Sequence, residues 1–263
     1  MSRILDRLME RELRGVDVDE IDRFVVHSQV LARKRILRDV FTEFHQTFDR
    51  LDRMYLTGVG ARIELGAGVS PIRASYPDVL ATDIVPAEGL DRVLNAQAMD
   101  LPDGSVRALF GQNCFHHFPD PRLFLDEALR VLSVGGGVVL LEPYYGPVAS
   151  FLFKRIFASE GFDKSCPTWS VSQSGPMNGA NQALSYLVFN RDRSLFEKEY
   201  PSFRIVHHGL CGNYLRYLLS GGLNFKSLCP DGAADFLKVV ERLVSPLNRW
   251  IALHHVIVLR KEL

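Results

Sequence analysis

Short apolar runs alternate with amphipathic stretches along the chain, and this pattern predicts the secondary structure of its middle part. Four apolar runs of strand length lie at residues 62–65, 79–84, 106–113 and 138–143. Between the last two, the periodicity becomes helical, with five apolar side chains on one side: Leu123, Leu125, Ala128, Leu129 and Leu132. We expect the glycines at residues 135–137 to end this helix. Alternating strands and helices are typical of an α/β fold.

A glycine turn follows the first predicted strand. In the sequence RIELGAGVSP, residues 62–71, Gly66 and Gly68 leave the backbone free to adopt positive φ angles and to approach a ligand closely. Ser70 is a favoured N-cap and Pro71 suits the first helical position, so we predict strand, turn and helix in succession. The pattern indicates a nucleotide-binding turn, and an ordinary turn is the alternative.

Acidic residues accompany the predicted strands. Asp83 ends the second strand, nineteen residues after Glu64, near the spacing at which an acidic side chain reaches a ribose in doubly wound folds. Asp100 follows in the next polar segment. Both aspartates also suit turns, and Glu64 has Arg62 and Arg107 as alternative ion-pair partners.

Five segments, in this order and spacing, carry a resemblance to a known family: ELGAGVS, TDI, AMDLP, FHHFPDPRLFLDEALRVL and GGGVVLLEP. They resemble the class I S-adenosylmethionine-dependent methyltransferases, in the branch similar to the ubiquinone and menaquinone biosynthesis enzymes (methyltransferase type 11). The resemblance is close over residues 62–143 and extends in outline to the C-terminal part. It implies an enzyme that uses S-adenosylmethionine, with a Rossmann-like, doubly wound, mostly parallel seven-stranded sheet whose last strand is antiparallel.

Three positions depart from the family pattern. Ser70 stands where most relatives have a third glycine, Pro77 shortens the helix after the turn, and Arg107 stands where relatives usually carry an aspartate. None of them removes a cofactor contact that the resemblance implies.

The resemblance assigns cofactor contacts to particular residues. Glu64 would orient the methionine amino group, Asp83 would hold the ribose hydroxyls, and Asp100 would accept from the adenine amino group. Close backbone contacts, apolar contacts and residues at the end of the predicted strand at 106–113 complete the set: Leu65, Gly66, Ala67, Gly68, Ile84, Leu101, Gln112, Asn113 and Phe115.

Methyl transfer requires little of the protein, because a sulfonium methyl group is already activated. A hydroxyl or phenol acceptor also needs a base, and His116 and His117 follow the predicted strand at 106–113 with side chains of a type that titrates near neutrality. His117 stands where the family usually has histidine. Tyr144, with Tyr145 beside it, is a further candidate and would bind the acceptor. The alternatives are helix capping or a loop hydrogen bond for a histidine, and packing for the tyrosines.

Composition excludes several classes of function. The 31 basic and 31 acidic residues leave no net charge to attract nucleic acid. The four cysteines have no CxxC pairing, and adjacent histidines on a strand, at 207/208 and 254/255, point to opposite faces, so we expect no disulfide and no metal. The charged N-terminus and the lack of eighteen consecutive apolar residues predict a cytoplasmic protein with reduced thiols.

An N-terminal segment precedes the predicted core. We predict that this segment, residues 1–56, is a helical addition of two helices with a break near residues 15–19. The second carries an apolar stripe that fits a lid over the cofactor, packing against the sheet edge, or a second subunit in a homodimer. Residues 57–263 form the methyltransferase domain.

Insertions near residues 160–182 and 209–250 interrupt this domain and would shape the acceptor pocket. A helix near 184–200 and strands at 203–208 and 253–261 resume the core. The apolar and basic segment 147–159 suits either core packing or peripheral membrane contact with a lipid-linked acceptor.

The sequence therefore predicts methyl transfer from S-adenosylmethionine to a small or carrier-linked metabolite, at a hydroxyl of a sugar, glycan precursor or phenolic compound. A non-catalytic cofactor-binding or assembly subunit with the same fold is the alternative. A nicotinamide dehydrogenase is disfavoured, because Pro71 replaces the Gly or Ala that completes GxGxxG.

Overall fold

The computed structural model describes residues 7–16, 22–157, 160–170, 175 and 180–262. These residues form a seven-stranded sheet with the strand order β3-β2-β1-β4-β5-β7-β6. The strands are β1 (Ala61–Leu65), β2 (Val79–Asp83), β3 (Arg92–Val93), β4 (Val106–Gln112), β5 (Leu132–Pro143), β6 (Phe203–Leu210) and β7 (His254–Lys261). Strands β1 to β5 are parallel, and β7 is antiparallel to both β5 and β6. The predicted doubly wound sheet with an antiparallel last strand is confirmed.

Helices cover both faces of this sheet. Their bounds are α1 (Asp22–Arg33), α2 (Arg35–Tyr55), α3 (Pro121–Val131), α4 (Pro147–Arg155), α5 (Leu184–Tyr186), α6 (Arg193–Glu199), α7 (Tyr214–Leu219), α8 (Ala234–Leu243) and α9 (Asn248–Ile251). The last three lie within the predicted insertion at residues 209–250, which is therefore largely helical.

Both faces of the central strands are buried, which explains the nearly continuous apolar runs of β4 and β5. On one face, α3, α5 and α6 pack on β1, β4 and β5. On the other face, α2 packs its apolar stripe on β2, β4, β5 and β7, and the rings of Phe48 and Phe110 lie 5.5 Å apart. Packing on the sheet thus accounts for this stripe, while a lid role for residues 1–56 stays a prediction.

The second predicted N-terminal helix is interrupted at Lys34, so the expectation of one continuous helix was wrong. The Lys34 side chain is buried between α1 and α2, where its ammonium donates to the carbonyl oxygen of Gly222 at 2.8 Å and pairs with Glu10 at 3.0 Å. Because these partners are distant from Lys34 in sequence, local periodicity does not predict them. Of the first predicted helix, the structure describes a 3-10 turn at Arg11–Leu13, and residues 1–6 and 17–21 lie outside the described residues.

No α-helix begins at Ser70 and Pro71, and this prediction was also wrong. A single 3-10 turn, Ile72–Ala74, follows the glycine turn, and Pro71 itself is extended with φ −65 and ψ 140 degrees. Pro77 disfavours helical geometry in the residue before it and lacks an amide to continue the turn.

The glycines at residues 135–137 do not end α3. The helix ends at Val131 and β5 begins at Leu132, so these glycines lie inside the strand. A Cβ atom on Gly136 would lie 2.7 Å from the carbonyl oxygen of Arg107 in β4. Glycine at these positions therefore allows the backbones of β4 and β5 to lie close together.

Two smaller differences concern short elements. A π-helical turn, Leu187–Arg191, separates α5 from α6, where the pattern predicted one helix. The strand β3 was not predicted, because a two-residue strand carries no periodicity.

Candidate functional site

The glycine turn is tied to the end of β2. Gly66 and Gly68 have φ angles of 64 and 54 degrees, in the left-handed region that favours glycine. The amide of Ala67 donates to the carbonyl oxygen of Thr82 at 2.9 Å, and the amide of Gly68 donates to Oδ2 of Asp83 at 3.1 Å. The turn therefore lies at the carboxyl ends of β1 and β2, where ligands bind in open α/β sheets.

Glu64, near the end of β1, is a buried carboxylate with a relative exposure of 1%. Its Oε2 accepts a hydrogen bond from the amide of Ile72 at 2.7 Å. Burial raises the pKa of Glu64 well above its usual range, and the charge of Asp83 adds to this effect, although the Ile72 hydrogen bond opposes it. A cation beside Glu64 would relieve the cost of this burial.

Asp83 lies at the end of β2 and is also buried. Besides the Gly68 amide, it accepts from the amide of Val85 through Oδ1 at 3.1 Å. Burial raises the pKa of Asp83 despite these two hydrogen bonds. The structure thus brings Glu64, the glycine turn and Asp83 together, as the sequence predicted.

Asp100 is not brought into this group. Its side chain is 98% exposed and forms a 2.8 Å ion pair with Arg92. Ile84 is half-exposed, whereas Leu101 packs against the core. The adenine contact that the resemblance implies for Asp100 therefore stays a prediction, and in this conformation Arg92 holds the carboxylate instead.

Gln112 and Asn113 lie where β4 ends. Asn113 has a positive φ of 50 degrees, a strained backbone conformation that is uncommon outside glycine. Gln112 Oε1 and Asn113 Oδ1 are buried and have no hydrogen-bond partner among the described residues. Two buried acceptors without partners favour a ligand that supplies donors.

Phe115 has a different role from its neighbours. Its ring is fully buried and lies 5.9 Å from the rings of Phe118 and Phe124, so the side chain belongs to the core. Leu65 and Ala67 are buried as well. These residues shape the site through their backbone and their volume.

His116 is held between two carboxylates. Its Nδ1 lies 2.6 Å from Oε2 of Glu142, and its Nε2 lies 3.4 Å from Oε2 of Glu160. Burial alone would lower the pKa of His116, but Glu142 and Glu160 raise it to about 9. His116 therefore carries its proton at neutral pH and is a poor candidate for the base.

His117 has the opposite electrostatic environment. Burial lowers the pKa of His117 to about 3, and the charge of His116 adds to the effect. Its Nε2 lies 4.0 Å from Oε2 of Glu160. Burial would raise the pKa of Glu160, but the hydrogen bond from His116 and nearby positive charges, including Arg23, lower it to about 2. The neutral His117 and the ionised Glu160 thus lie side by side.

The rings of Tyr144 and Tyr145 pack against each other with centroids 4.6 Å apart and planes inclined by 46 degrees. The hydroxyl of Tyr144 donates to the carbonyl oxygen of Arg249 at 3.4 Å, and the hydroxyl of Tyr145 accepts from Asn190 at 3.0 Å. Their hydroxyls bind elements of the surrounding helices, so a role of Tyr144 in acceptor binding stays a prediction.

Sequence reasoning missed Glu142 and Glu160. Glu142 lies in β5, and its Oε1 accepts from the amides of Cys114 and Phe115 at 3.0 and 2.9 Å. A charged residue inside the apolar run VVLLEP was an available signal for this buried acceptor. Glu160 lies in the polar insertion, and no local pattern connects it with His116.

The other histidine pairs behave as expected of strand neighbours. The ring of His254 packs on Phe44 and Tyr217, whereas Nε2 of His255 lies 2.8 Å from Oγ of Ser185. Since the two rings lie on opposite faces of β7, they do not converge on one ion.

An apolar cleft of about 230 Å³ lies between α4, α7 and the segment before β7. Its lining contains none of the predicted site residues: Val148, Leu152, Tyr214, Leu215, Leu218, Val244, Ile251 and Leu253. Within the described parts of the chain, no helix is both long and apolar enough to cross a bilayer. All four cysteines are free thiols.

Comparisons with known proteins agree with this architecture. A family model described as a methyltransferase domain matches residues 66–140. No curated protein sequence is significantly similar to the chain.

Among solved structures, the chain is similar to the geranyl diphosphate C-methyltransferase of Streptomyces coelicolor A3(2), solved with Mg²⁺, geranyl diphosphate and S-adenosyl-L-homocysteine. The identity is 14%, the coverage is 96% of this chain and 89% of that one, and the TM-score is 0.52. It is also similar to a protein from Galdieria sulphuraria provisionally assigned as a sarcosine dimethylglycine methyltransferase, with 13% identity, 92% and 98% coverage and a TM-score of 0.50. At such identities these likenesses show the fold.

Proposed function

This chain carries a class I S-adenosylmethionine-dependent methyltransferase domain, and we propose that it methylates a hydroxyl group of a small or carrier-linked acceptor. The acceptor we propose is a sugar, a glycan precursor or a phenolic compound. The observation that carries this proposal is the pair of buried carboxylates, Glu64 and Asp83, on either side of the glycine turn.

The charges of the cofactor suit this arrangement. S-adenosylmethionine carries an ammonium group that would pair with the buried Glu64, which has no cationic partner in the part of the chain that the structure describes. The ribose hydroxyls would donate to Asp83 in addition to the Gly68 amide. Gln112 and Asn113 supply further acceptors that lack partners.

A hydroxyl acceptor must lose its proton as the new bond forms. His117 is the residue we propose as the base, because its imidazole is neutral, whereas His116 already carries a proton. Burial makes this imidazole a weak base, so the proposal depends on the charge of Glu160, which raises the pKa of His117. The carboxylate of Glu160, 4.0 Å from His117 Nε2, would stabilise the imidazolium that results.

The N-terminal helices form the proposed lid. In α1, Arg23 Nη2 donates to Oδ1 of Asn224 at 3.2 Å, and His27 Nε2 lies 3.1 Å from the same oxygen. The charge of Arg23 also lowers the pKa of Glu160, so α1 lies beside the histidine cluster as well as the 209–250 insertion. We propose that these segments together enclose the acceptor and exclude water.

The solved neighbours support a small acceptor. Geranyl diphosphate and sarcosine or dimethylglycine, the compounds in the names of these neighbours, are small molecules. One of these neighbours is named as a C-methyltransferase, so the hydroxyl in our proposal rests on the base at His117 and not on the neighbours.

Titration calorimetry with S-adenosylhomocysteine tests the cofactor site. We expect binding with one site per chain, weakened at least tenfold in Asp83→Asn and unchanged in Asp103→Asn, an exposed carboxylate of the same domain. Binding of NAD in place of S-adenosylhomocysteine would overturn the assignment.

A screen for S-adenosylhomocysteine release tests the acceptor class. Sugars, nucleotide sugars, phenols and quinols are offered with S-adenosylmethionine, and the methylated atom is identified by mass spectrometry and NMR. Turnover that yields only N- or C-methylated products would refute the proposed hydroxyl chemistry and leave the cofactor site intact.

A further inference from the structure

Three side chains past the end of β4 converge as the ligands of a metal ion do. We propose that His116, His117 and Glu160 form a binding site for one first-row divalent cation such as Zn²⁺. One ligand atom from each side chain lies within 4.8 Å of the other two.

The local backbone explains how two adjacent histidines can face one ion. His116 and His117 lie in a 3-10 turn, Phe115–His117, in which successive side chains are about a third of a turn apart. Their ring centroids lie 4.2 Å apart, with the planes inclined by 38 degrees. Strand neighbours such as His254 and His255 point to opposite faces, so the argument against those pairs does not apply here.

Glu160 supplies the carboxylate from a distant part of the chain. Its Oε2 lies 3.4 Å from Nε2 of His116 and 4.0 Å from Nε2 of His117. Ligands about 2.1 Å from a tetrahedral ion are roughly 3.4 Å apart, which is close to both of these distances.

Glu142 orients the first histidine for this role. Its Oε2 binds Nδ1 of His116 at 2.6 Å, so Nε2 faces Glu160 and becomes a ligand when the ion displaces the proton that His116 carries at neutral pH. The other oxygen of Glu142 is fixed by the amides of Cys114 and Phe115. Histidines that bind metals usually donate their second ring N–H to a carboxylate in this way.

The donor set selects the type of ion. Two imidazoles and one carboxylate suit Zn²⁺ and its first-row neighbours, whereas Mg²⁺ and Ca²⁺ prefer oxygen donors alone. Glu142 and Glu160 provide negative charge around the site, and Arg23 is the cation close to Glu160. Three protein ligands leave at least one coordination position for an oxygen of another molecule. This site shares no residue with the proposed cofactor contacts, but it includes His117 and Glu160. His117 could therefore act as the proposed base only in the ion-free protein, because a ring nitrogen bound to an ion cannot accept a proton.

Calorimetric titration of the metal-stripped full chain with ZnCl₂ tests the proposal, and MgCl₂ is the comparison ion. We expect one Zn²⁺ per chain, with an affinity at least tenfold lower in Glu160→Gln and in His117→Gln. His207→Gln is the matched control, since His207 lies on β6 and packs against Tyr55 instead. Co²⁺ should give visible absorption bands of nitrogen and oxygen coordination in the wild-type protein and not in Glu160→Gln.

Circular dichroism checks that the variants remain folded. The proposal is overturned if folded wild-type protein shows no saturable binding at one equivalent of Zn²⁺. It is equally overturned if Glu160→Gln and His117→Gln bind Zn²⁺ as the wild type does. Either result would leave His116 as the centre of an ion pair with Glu142 and Glu160 alone.

Discussion

Cys114 packs directly on Gly66, because a Cβ atom placed on Gly66 would lie only 2.9 Å from the Cβ atom of Cys114. Gly66 also has a φ of 64 degrees. A side chain at this position therefore meets both a steric contact and an unfavourable backbone conformation. At Gly66 the turn therefore has no room for an alanine side chain unless Cys114 moves.

We expect Gly66→Ala to destabilise the protein by about 2 kcal/mol and to weaken S-adenosylhomocysteine binding at least tenfold. Denaturant unfolding and calorimetry measure the two effects. Gly104→Ala is the matched control, since Gly104 has a φ of 63 degrees with nothing within 4 Å of the new Cβ atom. Gly104→Ala should lower the free energy of unfolding by only the backbone cost of roughly 1 kcal/mol. Its affinity for S-adenosylhomocysteine should equal that of the wild type. Equal behaviour of the two variants would argue against the packing explanation.

Replacing Glu64 by glutamine should separate stability from cofactor binding. Burial raises the pKa of Glu64, so its ionised form destabilises the ligand-free protein at neutral pH. We expect Glu64→Gln to raise the Tm of the ligand-free protein, because glutamine keeps an acceptor for the Ile72 amide and carries no charge. The same change should lower the affinity for S-adenosylhomocysteine at least tenfold, because the ammonium group of the ligand loses its ion pair with the Glu64 carboxylate.

Methylthioadenosine distinguishes the cause, because it lacks the amino-acid part of the cofactor. Its affinity should be the same in Glu64→Gln and in the wild type. A parallel loss for both ligands would mean that Glu64 acts by supporting the turn, and not by binding the ammonium group.

Asp100 should contribute less to cofactor affinity than Asp83. Its side chain is 98% exposed and engaged with Arg92, and exposed ion pairs are worth only about 0 to 1 kcal/mol. We expect Asp100→Asn to change the Kd of S-adenosylhomocysteine by no more than about threefold. A tenfold loss would show instead that the Asp100 carboxylate leaves Arg92 and turns to the adenine when the cofactor binds.

His45 should make stability dependent on pH in the acid range. Its Nδ1 lies 3.0 Å from Oγ of Ser75 and its Nε2 lies 3.1 Å from the carbonyl oxygen of Ser70, and burial lowers its pKa to about 4. The unfolded chain takes up the proton near pH 6.5, so stability present above pH 6.5 is lost as pH falls towards 4.

Between pH 7 and pH 4.5, we expect the free energy of unfolding to fall by about 2 kcal/mol less in His45→Gln than in the wild type. Urea unfolding at several pH values measures it. His27 and His254, with pKa values lowered to about 4 and about 3, keep part of the acid dependence in the variant. Parallel curves for wild type and variant would contradict the assignment.

Local sequence patterns were sufficient to predict the strands and the helix that form the core. The apolar runs of β1, β2, β4 and β5 are buried on the sheet, and the amphipathic stripe of α3 packs on one of its faces. The turn between Glu64 and Asp83 was predictable as well, because glycine spacing and strand ends are local properties. Helix boundaries were less predictable: Lys34 interrupts the N-terminal helices through partners far away in sequence.

The amino-acid sequence by itself determined the α/β fold, the glycine turn and the order of the acidic residues, since each depends on periodicity or on the backbone freedom of single residues. The tertiary structure decided which side chains share an environment. Glu160 reaches His116 across 44 residues and, together with Glu142, keeps His116 protonated, whereas burial keeps His117 neutral. The protonation state of a histidine depends on burial and on charges within a few ångströms, and neither quantity is encoded in neighbouring residues of the chain.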